Sequence, residues 1–209
     1  MNIENSYIEW LGHASFRINK NIYIDPYQIK SIDPAKIILI THSHFDHCST
    51  QDIAKIVTSE TVILAPPDCL SKLRQFENVK LKMVEPNSIF NINDIKIKTV
   101  PAYNINKQFH PKANDWVGYI IEANGDKIYH AGDTDIIPEM SNIQANIALL
   151  PIGGKYTMDF KEAAHAAQKM KVKHAIPMHY GSIIGTKENA QEFKTLANSL
   201  GVRATILES

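Results

Sequence analysis

The 209-residue sequence predicts an α/β protein of two β-sheets flanked by helices, and three observations carry that reading. Short runs rich in Ile, Val and Tyr precede helical patterning in the amino-terminal half and again in the carboxy-terminal half. The regular βαβα alternation of a doubly wound sheet is missing. Ile22-Tyr23 followed by Ala35-Lys36-Ile37-Ile38-Leu39-Ile40 is echoed by Ile128-Tyr129 followed by Ala145-Asn146-Ile147-Ala148-Leu149-Leu150.

The elements follow in order. Strands are expected over 7–10, 15–18, 21–24 and 37–40, and the last is apolar throughout, as a buried strand would be. Ile53, Ile56 and Val57 place a helix over 50–58. A strand over 62–65 leads to a second helix over 68–76, whose apolar positions Leu70, Leu73 and Phe76 recur at helical spacing. Strands are expected over 80–84, 95–100, 117–122, 127–130 and 147–150, and 101–115 is the longest stretch without a clear element. A helix over 159–171 has a candidate cap in Thr157 or Asp159, a strand spans 175–177, and a helix over 187–200 is closed by Gly201. A last strand covers 204–207. A chain 44% hydrophobic, with 10 Pro and 9 Gly, is expected to form one domain over 1–209.

Lys+Arg and Asp+Glu balance at 22 each, so no overall basic field would attract a nucleic-acid backbone, and nucleic acid is not an expected partner. The start MNIENSYIEW lacks the pattern of a secretory signal, and no apolar run approaches the roughly 18–20 residues of a membrane span. A cytoplasmic location follows as the expectation, with Cys48 and Cys69 as reduced thiols.

The chemistry concentrates in THSHFDHCST at 41–50, where His42, His44, Asp46 and His47 follow the strand over 37–40. A cluster at the emerging end of a buried strand lies where α/β proteins put ligands. His42 and His44, two apart in an extended segment, project to one side, and imidazole with carboxylate suits zinc, iron or manganese. Further ligands come from FHPK with His110, HAGDTD with Asp133 and PMHYGS with His179.

His42-Ser43-His44-Phe45-Asp46-His47 resembles the HxHxDH motif of the metallo-β-lactamase superfamily. WLGHASFRI at 10–18, IYIDPY at 22–27, IYHAGDTD at 128–135, ALLPIGG at 148–154 and IPMHYG at 176–181 extend the resemblance to the metal-dependent hydrolase branch near L-ascorbate-6-phosphate lactonase. The fold this implies is a four-layered αβ/βα sandwich with metals at the open edge between two mixed sheets. The resemblance gives His42 and His44 to a first metal and Asp46 and His47 to a second. Asp133 would bridge the two and His179 complete the second. The third ligand of the first metal is His110, with Asn104 as the alternative. Asp46 and His13, the latter in a recurring Gly-His pair at the site edge, are the candidate catalytic groups.

The remaining residues have plainer readings beside their functional ones. His130 either orients a ligand or is a satisfied core residue. His165 and His174 need only structural roles. Asp25 either bonds a metal ligand or marks an Asp-Pro turn. Gly132, Gly153 and Gly154 allow close backbone approach or positive φ, and Lys107, Lys112 or Lys155 could meet an anionic group.

Two divalent ions, zinc first with manganese or iron as alternatives, would support hydrolysis of a small ester, lactone or phosphorylated metabolite. The alternative is a phosphodiesterase, like ribonuclease Z or a phospholipase, though no basic recognition arm is present. A non-catalytic metal-binding protein is the third reading. The expected partner is a small-molecule substrate, and a homo-oligomer is compatible with all three.

Overall fold

The computed structural model describes residues 1–30 and 33–209. Among these the strands form two sheets of seven. The first runs in chain order through β1 (Asn2–Ile3), β2 (Ser6–Gly12), β3 (Ser15–Ile18), β4 (Ile22–Ile24), β5 (Ile37–Leu39), β6 (Val62–Ala65) and β7 (Lys80–Met83). The second holds β8 (Ile89–Ile92), β9 (Ile95–Pro101), β10 (Val117–Ala123), β11 (Asp126–His130), β12 (Ile147–Pro151), β13 (His174–Met178) and β14 (Arg203–Ala204).

Each sheet is mixed in the same way. The first four strands pair antiparallel, β1 to β4 and β8 to β11. The last four pair parallel, β4 to β7 and β11 to β14. Parallel neighbours need a crossover, and the helices supply four of them. α1 (Thr50–Ile56) and α2 (Leu70–Leu73) serve the first sheet, and α3 (Phe160–Met170) and α4 (Lys187–Ser199) serve the second. The sequence echo has a structural counterpart: Ile22 pairs with Ile37 in one sheet as Ile128 pairs with Ile147 in the other.

The apolar run at β5 is explained by layers on both its faces. Ile37 and Leu39 join the core between the sheets, whereas Ile38 and Ile40 pack under α1 with Ile53 and Ile56. The buried Tyr119 hydroxyl locks the sheets together at this end, donating to the carbonyls of Ile40 at 2.8 Å and Leu64 at 3.2 Å. Both long helices begin with reciprocal caps, Asp159 with Glu162 on α3 and Thr186 with Asn189 on α4. Gly201, at φ +84°, closes α4 as expected.

Four local expectations change. The short edge strands β1 and β8 were not foreseen; β8 turns into β9 through Asn93, at φ +51°, and Asp94. The helix expected over 68–76 is a 3-10 turn at Pro67–Cys69 and one α-turn at Leu70–Leu73, because of its apolar positions only Leu73 is fully buried. The helix over 50–58 ends at Ile56. The last strand stops at Ala204: Thr205 donates to the carbonyl of Ala175, and Pro177, next on that side of β13, has no N–H to extend the ladder.

Candidate metal centre

Every candidate ligand lies just beyond a strand end or in a loop at the same edge of the two sheets. His42 to His47 follow β5, His110 lies between β9 and β10, Asp133 follows β11, and His179 follows β13. His13 occupies the β2–β3 turn at φ +51°, and its carbonyl accepts from His179 N at 2.9 Å and Trp10 Nε1 at 2.9 Å. The bond from His179 ties the two halves of the chain together beside the centre.

Ligand atoms within 4.8 Å of one another group His42 with His44 and His110, and His13 with Asp46, His47 and His179. His42 and His47 also group with Asp133. Asp133 stands between the groups: Oδ1 lies 3.4 Å from His47 Nε2, and Oδ2 lies 3.3 Å from His110 Nε2 and 3.1 Å from His179 Nε2. His13 Nε2 donates to Asp46 Oδ2 at 2.9 Å. All seven residues in the metal reading, and His13, are therefore brought together.

A layer of bonded neighbours orients the imidazoles. His47 Nδ1 lies 2.7 Å from Asp25 Oδ2, so its proton is fixed there and Nε2 faces the centre. Asp25, buried at φ +44°, also accepts from Thr41 N at 2.8 Å and Thr41 Oγ1 at 2.6 Å. His110 Nδ1 lies 3.0 Å from Asn104 Oδ1, which also accepts from His110 N at 3.0 Å. The Asn104 oxygen is thus turned to His110, while its amide donates to Tyr156 O at 2.9 Å. His130 is a satisfied, buried histidine: Nδ1 accepts from Gly132 N at 3.2 Å, which leaves Nε2 to donate to Ala14 O at 2.9 Å. It fixes the backbone beside both Asp133 and His13.

Two glycines give the centre room in different ways. Gly132 needs φ +65°, and a Cβ there would meet Val117 O at 3.0 Å. Gly153 needs no special φ, but a Cβ would sit 2.7 Å from Ile184 Cγ2 and 3.0 Å from His179 Nδ1. His165 is exposed on α3, and His174 begins β13 with Nε2 2.7 Å from Thr205 Oγ1. Of the lysines considered, Lys107 is paired with Asp135 and Lys112 with Glu139. Lys155 lies over the Tyr156 ring.

Trp116 joins the site without having been singled out in the sequence. Its ring centroid is 4.8 Å from His42, 4.9 Å from His44 and 5.6 Å from His110, and its Nε1 donates to Asp68 Oδ2 at 2.8 Å. The signal available was an aromatic residue immediately before a strand, and aromatic residues are enriched around strands whether or not a site is near.

Electrostatics polarise the cluster. Burial pushes His42 well below the usual imidazole value, and burial with the neighbouring His110 and His47 lowers His44, so both present neutral lone pairs. Burial opposes the charge on His47, but Asp133 and Asp25 raise it well above the usual value. Burial likewise opposes ionisation of Asp133, which His179 and His47 hold well below the carboxylate range. Burial opposes ionisation of Asp46 too, but the bond from His13 and the neighbouring His47 together bring it to about 2.

The donor set fits a divalent cation. His47 Nε2, His110 Nε2, His179 Nε2 and Asp133 Oδ1 are buried, converge on one another and have no hydrogen-bond partner. Buried polar atoms are rarely left so, because each costs about 1–3 kcal/mol. A cation among them would satisfy nitrogen lone pairs and carboxylate charge together.

The beta-lactamase superfamily domain matches over residues 7–179. A UPF0173 metal-dependent hydrolase of Thermoplasma acidophilum is 33% identical over 220 residues, covering 99% of this chain and 97% of the relative. The chain belongs to the metallo-β-lactamase superfamily. Within the superfamily it falls among the UPF0173 metal-dependent hydrolases, another of which, from Thermoplasma volcanium, is 35% identical over 208 residues, 93% of this chain and 92% of that one. The crystal structure of a metal-dependent hydrolase from Parabacteroides distasonis superposes with a TM-score of 0.85 at 33% identity, covering 97% of this chain and 94% of that chain. Igni18, a metallo hydrolase of Ignicoccus hospitalis, superposes at 0.79 with 25% identity, covering 97% and 95%. No helix among the described residues is long and apolar enough to cross a membrane.

Proposed function

We propose that this chain, acting as one domain over 1–209, hydrolyses a small ester, lactone or phosphorylated metabolite at a dinuclear centre. The observation that carries the reading is the placement of Asp133 between two imidazole clusters, within 3.4 Å of the buried, unpartnered Nε2 atoms of His47, His110 and His179. His42, His44 and His110 would hold one divalent ion, and Asp46, His47 and His179 the other, with Asp133 shared. Two such ions, zinc by ligand type, would supply Lewis-acid chemistry there, activating water at neutral pH and polarising the oxygen under attack.

The chain's own groups do the rest. Asp25 keeps the His47 proton on Nδ1, and Asn104 holds the His110 ring in place. His13 donates from Nε2 to Asp46, which fixes the carboxylate and leaves its buried Nδ1 without a partner. The balanced charge and the pairing of Lys107 and Lys112 favour a small substrate over a nucleic acid.

Elemental analysis of the purified protein, paired with p-nitrophenyl ester, lactone and bis(p-nitrophenyl) phosphate assays, tests this reading. About two metals per chain, with turnover abolished by a chelator and restored by zinc or manganese, is the expected result. A chain that binds no metal, or turns over unaffected by the chelator, removes the reading.

A further inference from the structure

His110 is carried by the connection from β9 to β10, whose one regular piece is a 3-10 turn at Lys112–Asn114. Loops of that length are usually either mobile or built for a function, so whatever seats this one decides where His110 stands. Residues 104–110 close on themselves. Asn104 N donates to His110 O at 2.8 Å, and His110 N donates to Asn104 Oδ1 at 3.0 Å. The turn is therefore a unit, and the position of its histidine follows from how the whole turn is held.

Two neighbouring segments hold it. The buried Asp135 accepts from Ile105 N through Oδ2 at 3.0 Å and from Lys107 Nζ through Oδ1, and its own N–H donates to Tyr103 O at 3.0 Å. Lys107 Nζ also donates to Thr157 O at 3.0 Å. Beside it, Tyr156 O accepts from Asn104 Nδ2 at 2.9 Å, and the Tyr156 ring meets Phe109 edge-on at 4.6 Å. Asp135 is the charged node of this seat, and hydrogen bonds to an ionised acceptor are roughly twice as strong as neutral ones. It also lies two residues from Asp133, whose Oδ2 is 3.3 Å from His110 Nε2. Ligand distances in a metal site hold to within about 0.2 Å, so slack in the seat would reach the ion through His110.

We infer that Asp135 is a positioning residue, which together with Lys107 seats the 104–110 turn and so sets His110 against Asp133. The inference rests on the metal-centre reading above. It gives Lys107 a role inside the protein instead of one toward substrate.

The test compares Asp135→Asn, Lys107→Met and Lys107→Arg by two readouts. The first is the affinity of each cobalt(II) ion bound by the full chain, from chelator competition, with the cobalt absorption spectrum reporting ligand geometry. Asp135→Asn and Lys107→Met should weaken one ion about 10–100-fold, alter its spectrum, and leave the other ion within twofold. Lys107→Arg keeps the charge and the donors, and should restore affinity to within threefold of wild type. In the His110→Ala background, where about one ion remains, Asp135→Asn should not weaken that ion further. The second readout is amide hydrogen exchange of the chelator-treated chain. Asp135→Asn should speed exchange at Asn104 and His110 at least tenfold and leave residues 41–47 unchanged. Lys107 is a half-buried loop residue, so its variants carry the test if Asp135→Asn fails to fold.

Two ions bound with unchanged affinity in the variants, equal weakening of both ions, or a further loss in the His110→Ala background overturns the inference. Unchanged exchange in the turn overturns it whether or not metal binds. Faster exchange confined to the turn, in a chain that binds no metal, supports the seat and removes the metal reading instead.

Discussion

Asp25 Oδ2 accepts the Nδ1 proton of His47 at 2.7 Å, although the two residues are 22 apart in sequence and neither is exposed. The same carboxylate takes two bonds from Thr41, so one buried anion sets the ring of a ligand histidine and the start of the loop that carries it. Replacement by Asn puts an amide donor where an acceptor is needed and favours the wrong His47 tautomer. Asp25→Asn is expected to weaken metal binding about 10–100-fold, measured by chelator competition. Unchanged affinity would show that this bond is structural only.

His110 and Asn104 separate by stoichiometry. His110→Ala should lower bound metal from about two toward one per chain. Asn104→Ala should keep the stoichiometry but loosen the site, because its oxygen faces His110. Elemental analysis of both variants decides it, and loss of a metal only in Asn104→Ala would reverse the assignment.

Gly153→Ala probes packing beneath His179. The backbone there accommodates alanine, but the new methyl would press on Ile184 and on the His179 ring. A cost of about 1–3 kcal/mol in urea unfolding is expected, with reduced metal affinity. Wild-type stability and affinity together would show that the 181–186 loop yields freely.

Asp52 governs the segment after Asp25. It accepts from Gln28 N at 2.9 Å, Ile29 N at 3.1 Å, Ser49 Oγ at 2.6 Å and Lys55 Nζ at 2.7 Å. Burial would raise its pKa, but the Lys55, Ser49 and Gln28 bonds bring it below the usual value. A depressed folded pKa means that the contribution is complete above the unfolded value of about 3.9 and is lost as pH falls through the lower folded value. Asp52→Ala should cost about 2–3 kcal/mol at pH 7 and much less near pH 2. A pH-independent difference between wild type and variant would contradict the charge-based account.

Much of this was legible in one dimension because its cause is local. Strands such as β4 and β6 follow from runs of β-branched and aromatic residues, α3 and α4 from apolar spacing and capping residues, and the HxHxDH loop from its ligand density. The echo between Ile22–Ile40 and Ile128–Leu150 foreshadowed the shared topology of the two sheets. Edge strand β8 and the shortened α2 were not legible, since partner strands and burial decide them rather than propensity.

The linear chain carries the inventory: which residues have metal-binding chemistry, and which segments extend or coil. Packing in three dimensions sets Asp133 between two imidazole clusters and lays Trp116 against His42 and His44. The physical reason is that these relations join residues on different strands of both sheets. Their distances are set by sheet packing and by locks such as Tyr119 to Ile40, and no local pattern along the chain encodes them.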